Sequence, residues 1–380
     1  MIPLLPFYAE KLGASPQQVG WLVSIYALCQ LFSGPLLGSL SDRMGRKPLL
    51  IVSQIGTFIG FLITAWATSL AMVFVGRVID GGTAGNLSLA QAYISDVTKP
   101  EDRAKSFGVI GIAFGLGFLI GPAISGFLAQ YDYRYPIYAA AGLSFTSILA
   151  TTFLLPAVRV QTSPVSGPAG RRLSLLQWGE YRRYFRQEEL ANLLFQFLLF
   201  TFSFAIFTSG LSLFLERRLT WNGQPFGPRQ AGYAWAYAGF LGILLQGPLL
   251  GRLVKKFGEA ALNRVGFAAY ALGYTALAFC HSVPWLVVTM TILVLGGLVR
   301  PTLTSLITRI TPERERGVVL GLTQSLTSIS QIAGPALAGS LIQRGLLSRW
   351  GIAAAVISLA GIILALRTQD VAVAQPAFRP

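Results

Sequence analysis

Long apolar runs separated by short polar interruptions give this chain its elements. A bilayer core of about 30 Å needs about 20 apolar residues in a helix, and eleven stretches have that length: 17–41, 48–67, 70–96, 104–130, 135–155, 190–215, 229–253, 261–280, 284–308, 317–343 and 350–367. Ahead of them, residues 1–10 are apolar but too short to cross, and lack the charged start and cleavage site of a signal peptide. They are expected to be the outer end of a helix whose beginning is absent, through truncation or a late start. The longest polar stretch, 156–189, is Pro/Ser/Gly-rich and then basic and aromatic, from Trp178 to Arg186. Such a segment suits the membrane surface and anionic lipid headgroups.

Composition sharpens this picture. The chain is 53% hydrophobic and 12% charged, with mean hydropathy +0.59, against about 25% charged in soluble domains. It reads as an all-α integral membrane protein. The net charge of +15 raises the question of nucleic acid, but Lys and Arg of alternate loops fall about threefold in excess on one face. That sorting accounts for the charge and marks the face as cytoplasmic. Only Cys29 and Cys280 occur, with no Cys/His cluster, so no disulfide framework, metal site or cofactor is expected.

A repeat appears at a displacement of about 213 residues. Gly34-Pro35-Leu36-Leu37-Gly38 returns as Gly247-Pro248-Leu249-Leu250-Gly251, Gly45 as Gly258, and Gly121-Pro122 with Gly126 as Gly334-Pro335 with Gly339. Two parallel helical bundles related by an axis along the membrane normal would produce this.

The chemistry concentrates in three places. Between the first two spans lie Gly38, Asp42, Arg43, Gly45, Arg46 and Lys47; here glycine permits close backbones and Asp42 can meet a helix start. In the span 70–96, Arg77, Asp80, Ala84, Ser88 and Gln91 recur at three- and four-residue steps, forming one polar or small face. Charges inside hydrocarbon are costly, so Arg77 and Asp80 must face a wet cavity or each other. Three uses stay open: a static ion pair, proton binding at Asp80 tuned by Arg77, or substrate contact by Arg77. Arg300 beside Pro301 stands on the corresponding span of the second half, where it could meet an anionic substrate group or a carboxylate. Gln30, Gln196, Gln324 and Gln331 mark further polar stripes. Phe200, among several phenylalanines, is a weak candidate for an aromatic cavity wall.

The stretch Gly38-Ser39-Leu40-Ser41-Asp42-Arg43-Met44-Gly45-Arg46-Lys47 resembles the loop motif G-x-L-x-D-R-x-G-R-K of the major facilitator superfamily. Gly108, Gly117, Gly121-Pro122, Ser125 and Gly126 resemble the fifth-helix pattern of its proton-coupled drug antiporters, with Ser125 replacing a preferred glycine. The run from Gly76 to Pro156 is similar to the tetracycline-efflux antiporters. The resemblance implies two pseudo-symmetric six-helix bundles, here with about eleven complete helices: 1–155, a cytoplasmic linker 156–189, 190–367 and a cytoplasmic tail 368–380. It implies that Arg46 pairs with Asp96, that Asp42 meets a helix start near Gly317 when the cytoplasmic ends close, and that the fifth-helix glycines seal the centre.

No nucleotide loop or nucleophile–base arrangement is visible, so an enzyme is not expected. The expected function is secondary transport by alternating access: proton-coupled efflux of a small lipophilic compound. Alternatives are uptake of a sugar or organic anion, and a non-transporting sensor or inactive remnant. The expected partners are the small molecule, protons and membrane lipids, and not nucleic acid. The protein is expected to act as a monomer in the cell membrane, the inner one if the host is Gram-negative.

Overall fold

The computed structural model describes residues 3–98, 103–156, 183–312 and 315–368. Most of the expected linker and tail lie outside them. The first half contains α1 (Leu5–Lys11), α2 (Pro16–Met44), α3 (Arg46–Ala65), α4 (Leu70–Gly82), α5 (Asn86–Val97), α6 (Arg103–Leu128) and α7 (Tyr135–Leu154). The second contains α8 (Glu188–Arg218), α9 (Pro228–Leu244), a π-helical turn (Leu245–Leu249), α10 (Leu250–Phe257), α11 (Glu259–Ala278), α12 (Val283–Gly296), α13 (Val299–Ile310), α14 (Arg316–Gln343) and α15 (Leu347–Ala365). Apart from a two-residue hairpin, β1 (Thr220–Trp221) with β2 (Gln224–Pro225), every described element is helical.

Each expected span coincides with one helix or with two in line. Among the described residues, seven segments are long and apolar enough to cross a membrane, including Pro16–Met44, Glu188–Arg218 and Val283–Ile310. The repeat extends to the element boundaries. The start of α3 recurs at α11, that of α4 at α12, α5 at α13 and α6 at α14, all displaced by about 213 residues. The fold is the all-α, two-bundle architecture that the repeat requires.

Two short turns show why glycine recurs at the same place in both halves. Gly45 joins α2 to α3 at φ 98°, and Gly258 joins α10 to α11 at φ 78°. That backbone region penalises a Cβ, so the turn conformation, rather than the close backbone approach expected at Gly45, demands glycine there. The repeat breaks down at one proline. Pro35 lies within continuous α2, whereas its counterpart Pro248 lies in the π-helical turn. Proline removes an N–H donor, and a π turn is one way for a helix to absorb that loss.

The halves meet at their outer ends. Along α2 and α14, Gln17 N donates to Gln343 Oε1 at 3.2 Å and Ser24 Oγ donates to the Ile332 carbonyl at 2.6 Å. Gly20 is pressed against the Pro335 carbonyl, and Gly339 against that of Pro16. Along α6 and α9, Gly126 packs on Pro228 and Arg229, Gly232 on the Pro122 carbonyl, and Gly239 on that of Phe118. Arg217 of α8 adds an ion pair to Glu10 of α1 at 2.5 Å. Further in, Gly34, Gly247, Gly251 and Gly321 have open space where a Cβ would point, and Phe32, Leu36 and Leu320 are exposed. The molecule is closed outside and open towards the face that carries Arg43, Arg46 and Lys47.

Candidate functional site

The membrane crossing made by α4 and α5 is broken at mid-depth. Helix α4 ends at Gly82 and α5 begins at Asn86, and the glycine-rich stretch Gly81-Gly82-Thr83-Ala84-Gly85 runs through the break. Backbone groups freed by such a break must find partners in protein. Ser53 on α3 supplies two: its hydroxyl donates to the Thr83 carbonyl and accepts from Gly85 N. From α2, Ser33 Oγ donates to the Gly81 carbonyl at 2.8 Å.

Arg77 and Asp80 occupy the last turns of α4, on the face turned to α2 and α3. Arg77 Nη1 lies 3.0 Å from Asp80 Oδ2, and Asp80 is only 5% exposed. The guanidinium also stacks over the Tyr26 ring of α2 at 4.1 Å, a cation–π contact. Thr57 on α3 reaches the Asp80 carboxylate and accepts from Asn86 Nδ2 at 3.2 Å. Arg77 Nε has no partner among the described residues. Close helix packing makes this arrangement possible: a Cβ on Gly60 would stand 2.8 Å from the Gly76 carbonyl oxygen and 2.9 Å from Asp80 Cβ. The polar face read from the sequence holds Arg77 and Asp80 but not Ser53, Thr57 and Gly60. The spacing of Gly56, Thr57 and Gly60 along α3 was the available signal.

A second cluster forms at the cytoplasmic ends. Arg46 bridges two acids, with Nη1 2.5 Å from Asp42 Oδ1 and Nε 2.8 Å from Asp96 Oδ2, and also donates to Ser41 Oγ at 2.6 Å. Lys47 has a different task. Its Nζ donates to the carbonyls of Thr152 and Leu155 at 2.8 and 2.7 Å, satisfying the otherwise orphan end of α7. Arg43 is exposed, and Gly38 accepts from Ser41 Oγ within the last turns of α2.

The remaining expected residues fall into different settings. Ser88, Gln91, Gln324 and Gln331 are exposed and Gln30 is half-buried. Arg300 is exposed at the start of α13. Gln196 departs from the expected cavity stripe: it is fully buried, accepting from Asn263 Nδ2 at 2.7 Å and donating to Thr368 Oγ1 at 2.8 Å. Its amide ties α8 to α11 and to the chain beyond α15, because a buried amide needs such partners. Phe200 likewise packs inside the second bundle, stacked on Tyr270 and Phe204. Of the fifth-helix glycines, Gly126 is in tight contact, Gly117 and Gly121 meet nothing within 4 Å, and Pro122 contributes its carbonyl to Gly232. Gly108 and Gly317 lie outside the residues whose surroundings are described.

Two repeated helical bundles, closed on one side and open on the other, with a buried charge pair at a mid-membrane helix break, define a secondary membrane transporter. The Major Facilitator Superfamily model matches residues 1–265 and, overlapping them, 226–378, and the chain belongs to that family. It is 31% identical over 339 residues to the class C tetracycline resistance protein of Escherichia coli, covering 88% of this chain and 83% of the relative. It is 25% identical to multidrug resistance protein 2 of Bacillus subtilis (strain 168), covering 90% and 84%. Among solved structures, the human organic anion transporter MFSD10 (TETRAN) aligns with TM-score 0.71 and 22% identity over 96% of this chain and 94% of the other. The nucleoside transporter NupG aligns with TM-score 0.74 and 15% identity over 96% of each chain. This is a multi-pass membrane transport protein, not an enzyme, and its substrates are small molecules.

Proposed function

We propose that the protein exports a small lipophilic compound in exchange for protons, with Asp80 as the proton carrier and Arg77 as its counter-charge. The buried Arg77–Asp80 pair at the α4–α5 break carries this reading. A carboxylate removed from water is held by a cation or by a proton. Arg77 meets the first need and a proton the second, and the Tyr26 ring already stacked on the guanidinium keeps a partner for it when Asp80 is protonated. Outward movement is supported by the relatives, which are named for resistance to tetracycline and to multiple drugs. Rocking of the two bundles about this depth would expose the pair alternately to the two sides.

The test is Asp80→Asn in proteoliposomes with an imposed proton gradient. Gradient-driven accumulation of the transported drug should fall to background, while binding and passive exchange remain measurable. Undiminished uphill transport by this variant refutes the assignment.

A further inference from the structure

We propose that the broken crossing after α11, residues 283–310, holds an anion-recognition site, in which Arg300 binds the carboxylate of a substrate with an apolar body. The proposal rests on the reading of the chain as a transporter with a substrate cavity, and it names the class of compound that enters.

Helix α12 ends at Gly296 and α13 begins at Val299, so this crossing is broken at the same depth as its repeat partner. Pro301 has no N–H to give the Gly297 carbonyl, which keeps that backbone from closing into a regular helix. Against the break lies the π-helical turn, with Gln246 Nε2 3.1 Å from where a Cβ on Gly297 would stand. Leu245 of that turn packs with Leu262 and Leu298. Arg300 is the second residue of α13, exposed to solvent beside the break and within electrostatic range of Tyr270.

The comparison between halves is decisive. In the first half the break keeps its own charge balance, Arg77 against Asp80. The displacement of about 213 residues puts Met290 and Leu293 where that pair stands, and Leu87 where Arg300 stands. The second half has therefore lost the acid while gaining a cation, and the Arg300 guanidinium has no ion pair or hydrogen bond among the described residues. An arginine at this depth carries a cost wherever neither water nor a counter-charge reaches it. An anionic ligand removes that cost, and the planar guanidinium fits a carboxylate bidentately. Leu250 and Val294, half-buried against the leucine cluster beside the break, favour an apolar body behind it.

The experiment is thermal unfolding of the purified full chain in detergent, with 1-naphthoate, 1-naphthalenemethanol and 1-naphthylmethylamine as matched anionic, neutral and cationic probes. Naphthoate should raise the Tm of the wild type at lower concentration than the other two. In Arg300→Gln its apparent affinity should drop roughly tenfold or more, as expected for a charge-assisted hydrogen bond, and Arg300→Lys should retain part of it. Without probe, Arg300→Gln should unfold no earlier than the wild type, since an uncompensated charge has been removed. Equal stabilisation of Arg300→Gln by naphthoate, equal or stronger binding of the alcohol or amine, no naphthoate binding, or early unfolding of the bare variant would each overturn the proposal. The assay has no proton gradient, so failure of the coupling role given to Asp80 cannot mimic any of these outcomes.

Discussion

At the scale of single residues, position along a helix says less than the partners across it. Gln196 and Gln324 look alike in sequence, as glutamines on polar stripes, yet one is sealed inside a bundle and the other is exposed. Gln196→Ala should remove the partner of Asn263 and one of the bonds to Thr368, at about 1–3 kcal/mol for each buried group left unsatisfied. Its Tm in detergent should fall while drug affinity is retained. Unchanged Tm with lost drug binding would return Gln196 to the cavity wall.

Between elements, glycine decides which helices touch. The outer seal between α6 and α9 depends on Gly126, Gly232 and Gly239, whose missing side chains admit backbone carbonyls. A Cβ on Gly232 would lie 2.6 Å from the Pro122 carbonyl oxygen, which cannot move aside as a flexible side chain could. Gly232→Leu should overpack this seal at about 1–3 kcal/mol and raise thiol labelling of a cysteine placed at the outer end of α9. Gly121→Leu meets no neighbour in this conformation and should leave that labelling unchanged. Equal labelling of the two variants would show that the α6–α9 contact does not seal the outside. Only the glycine spacing of this interface was legible in the sequence, because the face each glycine presents depends on where the partner helix runs.

Across the whole molecule, we propose that the cytoplasmic cluster biases which side is open. In this cytoplasm-open state Asp42 and Asp96 are gathered by Arg46 within the first half. When the cytoplasmic ends close, Asp42 would gain the start of α14, a contact at a helix N-terminus worth about 0.3–1 kcal/mol, or up to about 2 when partly buried. Asp42→Asn should therefore shift the population towards the cytoplasm-open state, raising labelling of a cysteine on the inner half of α14 and slowing turnover. Unaltered labelling would reduce the cluster to a topological anchor. Because Arg46 holds both acids, Arg46→Ala should impair turnover more than Asp96→Ala, and the double variant should be no worse than Arg46→Ala alone. Fully additive losses would show that the two residues act apart.

The membrane spans, the two-bundle repeat, the charged cytoplasmic turn and the polar face carrying Arg77 and Asp80 were all determined by the sequence. Each is a local or periodic property: an apolar run must cover about 30 Å of hydrocarbon, and a repeat survives in the order of its residues. The tertiary structure alone decided that Ser53, Thr57 and Gly60 shape the α4–α5 break, that Lys47 caps α7, that Gln196 is a tie, and that the outer ends are the ones in contact. These are contacts between residues tens to hundreds of positions apart. Their existence depends on helix rotation and approach, which the order of residues along a single helix does not encode.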